Sequence, residues 1–298
     1  MVMKRINRRN FIKAGAIGVA GMSVLQPGLA NMNPDVRTNV LVDKVKLGNS
    51  GLTVSRIAMG TGTKGYNRSS NQTRKGMEHF KTLALHAYER GIRFYDSADG
   101  YGSMPFVGES IKTLPRENLT LLTKIWIPED DANDKISLPE ILDRFRKELG
   151  TDYIDILLIH YMTQGGWATK RKRYMDDLSK AKQDGIVKAL GVSCHNIDAL
   201  RDAAASPWVD VIMARINPFG TNMDDTPDAV KNVLATAKGN GKGVVGMKIF
   251  GEGVHVKDEE REQSIRFALK EGNIHCMTLG LESIEQMDDA IKRVMNNC

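Results

Sequence analysis

The sequence predicts an α/β protein: a parallel (β/α)8 barrel of the TIM type, preceded by an N-terminal β-hairpin. Three observations predict it. From Lys44 onward, short apolar runs alternate with amphipathic helical segments. Eight such runs, each followed by a helical stretch, fill about 240 residues, which is the size and order of this barrel. Three runs close on ionisable residues: Ile92 to Tyr95 on Asp96, Leu119 to Thr123 on Lys124, and Ile154 to Ile159 on His160. In a parallel barrel the strand C-termini converge on one face, and that face carries the chemistry.

Taken in order, Lys44 to Leu47 and Leu52 to Val54 flank Gly48-Asn49-Ser50-Gly51 and read as the hairpin. The expected barrel strands are Arg56–Gly60, Ile92–Asp96, Leu119–Lys124, Ile154–His160, Ala189–Ser193, Val209–Ile216, Gly243–Lys248 and His275–Gly280. Their near-continuous apolar character suits a parallel sheet covered on both faces. The expected helices are Gly76–Glu89, Val107–Thr113, Leu138–Leu149, Arg173–Gln183, Ile197–Ala205, Asp228–Lys238, Glu259–Lys270 and Ile284–Met295. Gly91, Gly185 and Gly272 follow helical segments, as a left-handed C-terminal cap requires. An open doubly wound sheet is the rival. It wants a glycine-rich turn that opens a helix. Gly60-Thr61-Gly62-Thr63-Lys64-Gly65 has the spacing, but no helical pattern begins inside it.

With 41% hydrophobic and 26% charged residues, the chain has the balance of a globular domain. The net charge of +6 is misleading, because residues 1–30 hold Lys4, Arg5, Arg8, Arg9 and Lys13 and no acid. The remainder has 37 basic against 36 acidic residues. A basic tail is not a nucleic-acid-binding face, so no nucleic-acid partner is expected. The tail continues with apolar Ala14 to Leu25 and then Pro27-Gly28-Leu29-Ala30, the order of an export signal with a small-residue cleavage site. Arg8-Arg9 before Asn10-Phe11-Ile12-Lys13 resembles a twin-arginine signal, with Asn7 where Ser or Thr is usual. The apolar run is too short for a stable membrane span. The expected organisation is a Tat-type signal peptide over 1–30, a linker over 31–43 and the barrel over 44–298. The twin-arginine export machinery is then the partner of the precursor, and the expected location is periplasmic or otherwise extracytoplasmic. Cys194, Cys276 and Cys298 lack metal-ligand spacing, so free thiols and no metal site are expected.

Tyr101 follows Asp96 by five residues, past Gly100, which puts it in the loop beside the same strand end. A phenol is a poor acid at neutral pH, and a nearby ammonium lowers its pKa. Lys124 would supply that charge, Asp96 would hold the lysine, and His160 would orient a substrate oxygen. Such a set protonates a carbonyl oxygen while a hydride donor attacks the carbon. Singly, each residue also has an ordinary explanation: a turn cap, a loop aromatic, a surface lysine, a core histidine. Their placement at successive strand ends favours the chemical reading. Trp126, Tyr161, Trp167 and Phe219 follow strand ends and are candidates for lining a pocket.

The chain resembles the aldo-keto reductase family from Lys44 to about Ile291. The resemblance rests on Lys46-Leu47-Gly48-Asn49-Ser50-Gly51-Leu52-Thr53-Val54-Ser55, on Phe94 to Gly102, on Leu122-Thr123-Lys124, on Leu157-Leu158-Ile159-His160, on Gly191-Val192-Ser193 and on Ile216-Asn217-Pro218. It implies the (β/α)8 barrel and NADPH-dependent reduction of aldehydes or ketones, and the reverse; departures from the family pattern leave NADPH or NADH as the expected cofactor. By position it implies Tyr101 as general acid, tuned by Lys124 and Asp96, with His160 orienting the carbonyl. It also implies cofactor contacts at Gly60, Thr61 and Ser193. Several positions depart from the family pattern. Cys194 stands for an Asn, Met213 for a Gln and Met247 for the aromatic that stacks on the nicotinamide. Lys248-Ile249-Phe250-Gly251 replaces a serine-containing pyrophosphate loop, and Gly280 and Gln286 stand where the family often has Lys and Arg around the 2′-phosphate. The altered contacts leave a second reading open, a non-catalytic accessory or sensor protein that binds the nucleotide on the same barrel.

Overall fold

The computed structural model describes residues 42–128 and 137–298. The expected signal peptide and the linker up to residue 41 lie outside the described residues. The hairpin forms as expected: β1 (Lys44–Lys46) and β2 (Thr53–Ser55) pair antiparallel with Val45 opposite Val54. Eight parallel strands follow: β3 (Ile57–Gly60), β4 (Phe94–Asp96), β5 (Thr120–Trp126), β6 (Ile154–Met162), β7 (Val187–Cys194), β8 (Val211–Arg215), β9 (Gly243–Met247) and β10 (Cys276–Leu279). They close in sequence order, with β10 paired to both β9 and β3. The described helices are α1 (Asn71–Arg74), α2 (Met77–Glu89), α3 (Met104–Ile111), α4 (Leu138–Leu149), α5 (Trp167–Lys170), α6 (Lys172–Gln183), α7 (Ile197–Ala205), α8 (Pro227–Gly239), α9 (Asp258–Lys270) and α10 (Ile284–Asn296).

The period of two along each strand divides the core into two layers. Inward residues such as Ala58, Phe94, Leu122, Ile156, Ala189, Val211, Val245 and Cys276 fill the barrel. Their neighbours, including Tyr95, Leu121, Leu157, Leu190 and Met277, face outward onto Phe80, Phe145, Leu178 and Ile291 of the helices. Leu47 and Val54 of the hairpin join the inner group, so the hairpin seals the N-terminal end of the barrel. Asp43 clamps it there by an ion pair to Arg56. The C-terminal end is left for the site.

Several boundaries differ from expectation. β5 does not stop at Lys124 nor β6 at His160. Their ladder continues through Ile125 with Ile159 and Trp126 with His160, so Lys124 lies within a strand and points into the barrel. α3 begins at Met104, earlier than expected, with Pro105 in its first turn, a common helix-start signal. The short helices α1 and α5 have too few residues to show a period.

Candidate active site

Inward parity places Gly60, Asp96, Lys124, His160, Ser193, Met213, Met247 and Thr278 around the C-terminal end of the barrel. Lys124 donates to Asp96 Oδ1 and, at 3.0 Å, to the Ser97 carbonyl. Its ammonium lies 4.9 Å from the centre of the Tyr101 ring, close enough for its charge to act on the phenol. The Tyr101 and His160 rings meet edge to face with centres 5.7 Å apart. The four residues read from the sequence as chemistry are therefore brought together.

Their charge states follow from the surroundings. Burial alone would lower the Lys124 pKa, but Asp96 and then Tyr101 outweigh it and raise the pKa, so Lys124 stays an ammonium. The expected lowering of the Tyr101 pKa does not result. Lys124 does pull it down, but burial outweighs that pull and the net shift is upward. His160 is pushed well below the usual imidazole range, first by burial and then by Lys124, so it is neutral at pH 7.

Local backbone geometry sets His160. Tyr161, the next residue, has φ of +68°, a left-handed conformation that is strained for a tyrosine. The β6–β7 register shifts there, and the bulge turns Met162 outward although the preceding parity points inward. The Tyr161 amide donates to Ser193 Oγ at 2.9 Å, so β7 holds the bulge in place.

Gly62 and Gly65 support Tyr101 from below. A Cβ at Gly62 would stand 2.2 Å from the Tyr101 ring, and one at Gly65 2.4 Å from it. The glycine-rich segment is thus a seat for the tyrosine, not the turn of a doubly wound fold.

A cleft of about 540 Å³ starts at Asp96 and Tyr101, crosses Met213 and Met247, and reaches Gln286, Asp289 and Ala290 on α10. A family model for the aldo/keto reductase family matches residues 57–296. The chain belongs to the aldo/keto reductase family. Similar proteins include a methylglyoxal reductase, DkgB, of Salmonella typhi, 32% identical over 58% of this chain and 62% of that protein. An NADH-specific methylglyoxal reductase of Escherichia coli is 26% identical over 61% of each chain. The match thus spans about three-fifths of the length of these curated relatives. Among solved structures, an aldo-keto reductase from Bacillus halodurans superposes with a TM-score of 0.68 at 18% identity, over 85% of this chain and 91% of that one.

Within this aldo/keto reductase barrel, the cleft suits an elongated dinucleotide. A Cβ at Gly280 would meet Thr63 Oγ1 at 2.2 Å, so a side chain there would have to displace the Thr63 hydroxyl. Of the positions expected to contact a cofactor, Gly60, Met213, Met247, Lys248, Phe250, Gly280 and Gln286 line the cleft. Lys248 is paired with Glu252, and its residue has φ of +58°.

Other sequence-predicted contacts fall elsewhere. Thr61 is fully buried, and its hydroxyl is engaged with the Asp96 carbonyl at 2.8 Å and Ser103 Oγ at 2.7 Å. It anchors the strand end that carries Asp96. Cys194 follows inward-facing Ser193, so parity sends it outward into the layer beneath the helices, where burial pushes its thiol pKa up. Gly251, with φ of +57°, shapes the loop instead of lining the cleft. Trp167 is a core residue whose indole donates to the Ala199 carbonyl at 3.2 Å, while Trp126 and Tyr161 are exposed near the site.

Among the lining residues that escaped the sequence reading are Lys64, Arg261 and Thr278. Arg261 sits on α9, ion-paired at 3.1 Å to both Asp258 and Asp289, and reads in sequence as one more surface cation. Thr278 interrupts an apolar strand at an inward position, and that polarity was its one signal.

Proposed function

We propose that this chain is an NAD(P)H-dependent reductase of small aldehydes or ketones, acting reversibly. The convergence of Tyr101, Lys124, Asp96 and His160 at one end of a dinucleotide-sized cleft carries the reading. When bound, the nicotinamide supplies the hydride. Gly60, Met213 and Met247 would hold the nicotinamide end, Lys248 and Arg261 the phosphates, and Leu281 to Ala290 the adenosine. Neutral His160 orients the carbonyl oxygen by a hydrogen bond. Tyr101, protonated at neutral pH, gives that oxygen its proton, and charged Lys124 stabilises the phenolate left behind. Asp96 keeps Lys124 in place. The similarity to methylglyoxal reductases supports small 2-oxoaldehydes as a first substrate class to test. Glu282, Glu285 and Asp289 line the adenosine end, which favours a ribose without a 2′-phosphate and hence NADH.

The test is mass spectrometry of the nucleotide that co-purifies, followed by hydride-transfer assays with it on a carbonyl panel. Tyr101→Phe should lose about 10²–10⁴-fold in kcat while still binding the nucleotide. A chain that binds nucleotide and turns over no carbonyl would instead be the non-catalytic binder.

We further propose, from the order of basic segment, apolar run and small residues in 1–30, that the precursor leaves the cytoplasm by the twin-arginine route, already folded around its cofactor. Fractionation that finds the chain unprocessed in the cytoplasm would sink this.

A further inference from the structure

We infer that Thr278 is a positioning residue for the proton-donating group, acting through Asp96; this rests on the reading of Tyr101 as proton donor. Asp96 has two carboxylate oxygens and two partners. Oδ1 accepts from Lys124, and Oδ2 accepts from Thr278 Oγ1 at 2.8 Å. The carboxylate is buried, so neither oxygen can trade its partner for bulk water at no cost.

The contact is unusual in its topology. Thr278 is on β10 and Asp96 on β4, and β3 lies between them, pairing with both. A side chain from β3 would ordinarily stand in the way. The inward residue at that level is Gly60, and a Cβ there would lie 2.8 Å from Thr278 Oγ1. Gly60 has no left-handed φ, so the missing side chain is needed for this approach and not for backbone conformation. Together, a bare position on β3 and a hydroxyl on β10 let the last strand grip the acid of the second barrel strand.

The consequence is electrostatic. A hydrogen bond to an ionised carboxylate stabilises it and absorbs part of its charge. With Oδ2 occupied, Asp96 meets Lys124 through Oδ1 alone. The ammonium has three protons: one goes to Asp96 and one to the Ser97 carbonyl, so the third stays available on the side of Tyr101, whose ring centre is 4.9 Å away. Without Thr278, the carboxylate is free to turn both oxygens onto Lys124. Its charge then competes harder with the phenolate for the ammonium, and the Tyr101 pKa rises further.

The experiment compares Thr278→Val, which keeps the shape and removes the donor, with Thr278→Ser, which keeps the donor. Two readouts are used: the near-ultraviolet phenolate titration of the cofactor-free protein, taken as the difference from Tyr101→Phe, and the pH profile of kcat. Thr278→Val should shift the Tyr101 titration upward by about one pH unit and lower kcat about tenfold with KM little changed. Thr278→Ser should restore both. Gly60→Ala should shift the titration in the same direction by pushing the hydroxyl aside, and it supplies the answer if Thr278→Val does not fold. An unshifted titration in Thr278→Val, or equal losses in Val and Ser, overturns the inference. If Tyr101→Phe keeps full turnover, the proton-donor reading falls, while the titration still decides whether Thr278 acts through Asp96.

Discussion

Lys124 and Asp96 face each other from adjacent strands β5 and β4, and their side chains are 1% and 7% exposed. A buried pair is a weak source of net stability but is costly to break, because one charge is left without a partner.

Asp96→Asn is therefore expected to lower unfolding stability by about 3–5 kcal/mol. With the carboxylate gone, burial dominates and the Lys124 pKa falls. Urea unfolding midpoints at neutral pH measure this, and a midpoint equal to the parent's would show that the pair is not desolvated.

The upward shift at Tyr101 fixes the sign of a pH dependence. With Tyr101 as the proposed proton donor, reduction needs the protonated phenol, so its rate should stay flat through neutral pH and fall only in alkali. Oxidation needs the phenolate, so its rate should keep climbing beyond the ordinary phenol pKa of 10.0. Profiles of kcat in both directions test this; an oxidation plateau well below that value would contradict it.

His195 packs against Tyr161 with ring centres 4.4 Å apart, and burial, with Arg215 and Lys248, lowers its pKa from 6.5 to about 3. His160 shifts the same way. For a depressed imidazole pKa the neutral form is the folded one. Its stability is fully present above pH 6.5 and is lost as pH falls from 6.5 toward 3. His195→Asn should flatten that acid limb in denaturation midpoints recorded against pH. Superimposable curves would remove His195 from the account.

Gly191 on β7 faces Val211 on β8 so closely that a Cβ would stand 1.7 Å from the Val211 carbonyl oxygen. Gly191→Ala should push the strands apart and cost about 1–3 kcal/mol, or more if the barrel cannot yield. Gly239→Ala in α8 meets nothing within 4 Å and should be neutral or stabilise by about 0.4–1 kcal/mol. Thermal unfolding of the pair gives a direct comparison, and equal melting temperatures would refute the clash.

Much of this molecule is legible in its sequence. The eight βα units, the hairpin and the strand carrying Asp96 were readable because apolar runs of period two and helical runs of period 3.6 are local patterns. Asp96, Lys124 and His160 stand out because polar groups at the ends of apolar runs need a reason, and Tyr101 because it follows Asp96 by five residues in the adjoining loop. Strand ends were less legible: Trp126 and His160 continue the β5–β6 ladder, and a ladder depends on both partners. Cys194 stands at a position that the family resemblance ties to the cofactor, but alternate strand residues face opposite sides and this one turns outward.

The sequence by itself determined the fold class, the order of the units and the identity of the four groups that meet at the barrel mouth. It could do so because period, composition and spacing are properties of neighbouring residues. Only the tertiary structure decided that Thr278 reaches Asp96 past Gly60, that Arg261 lines the cleft, and that burial overrides Lys124 at Tyr101. Those outcomes depend on barrel closure and on how much water is excluded, and no stretch of chain contains either quantity.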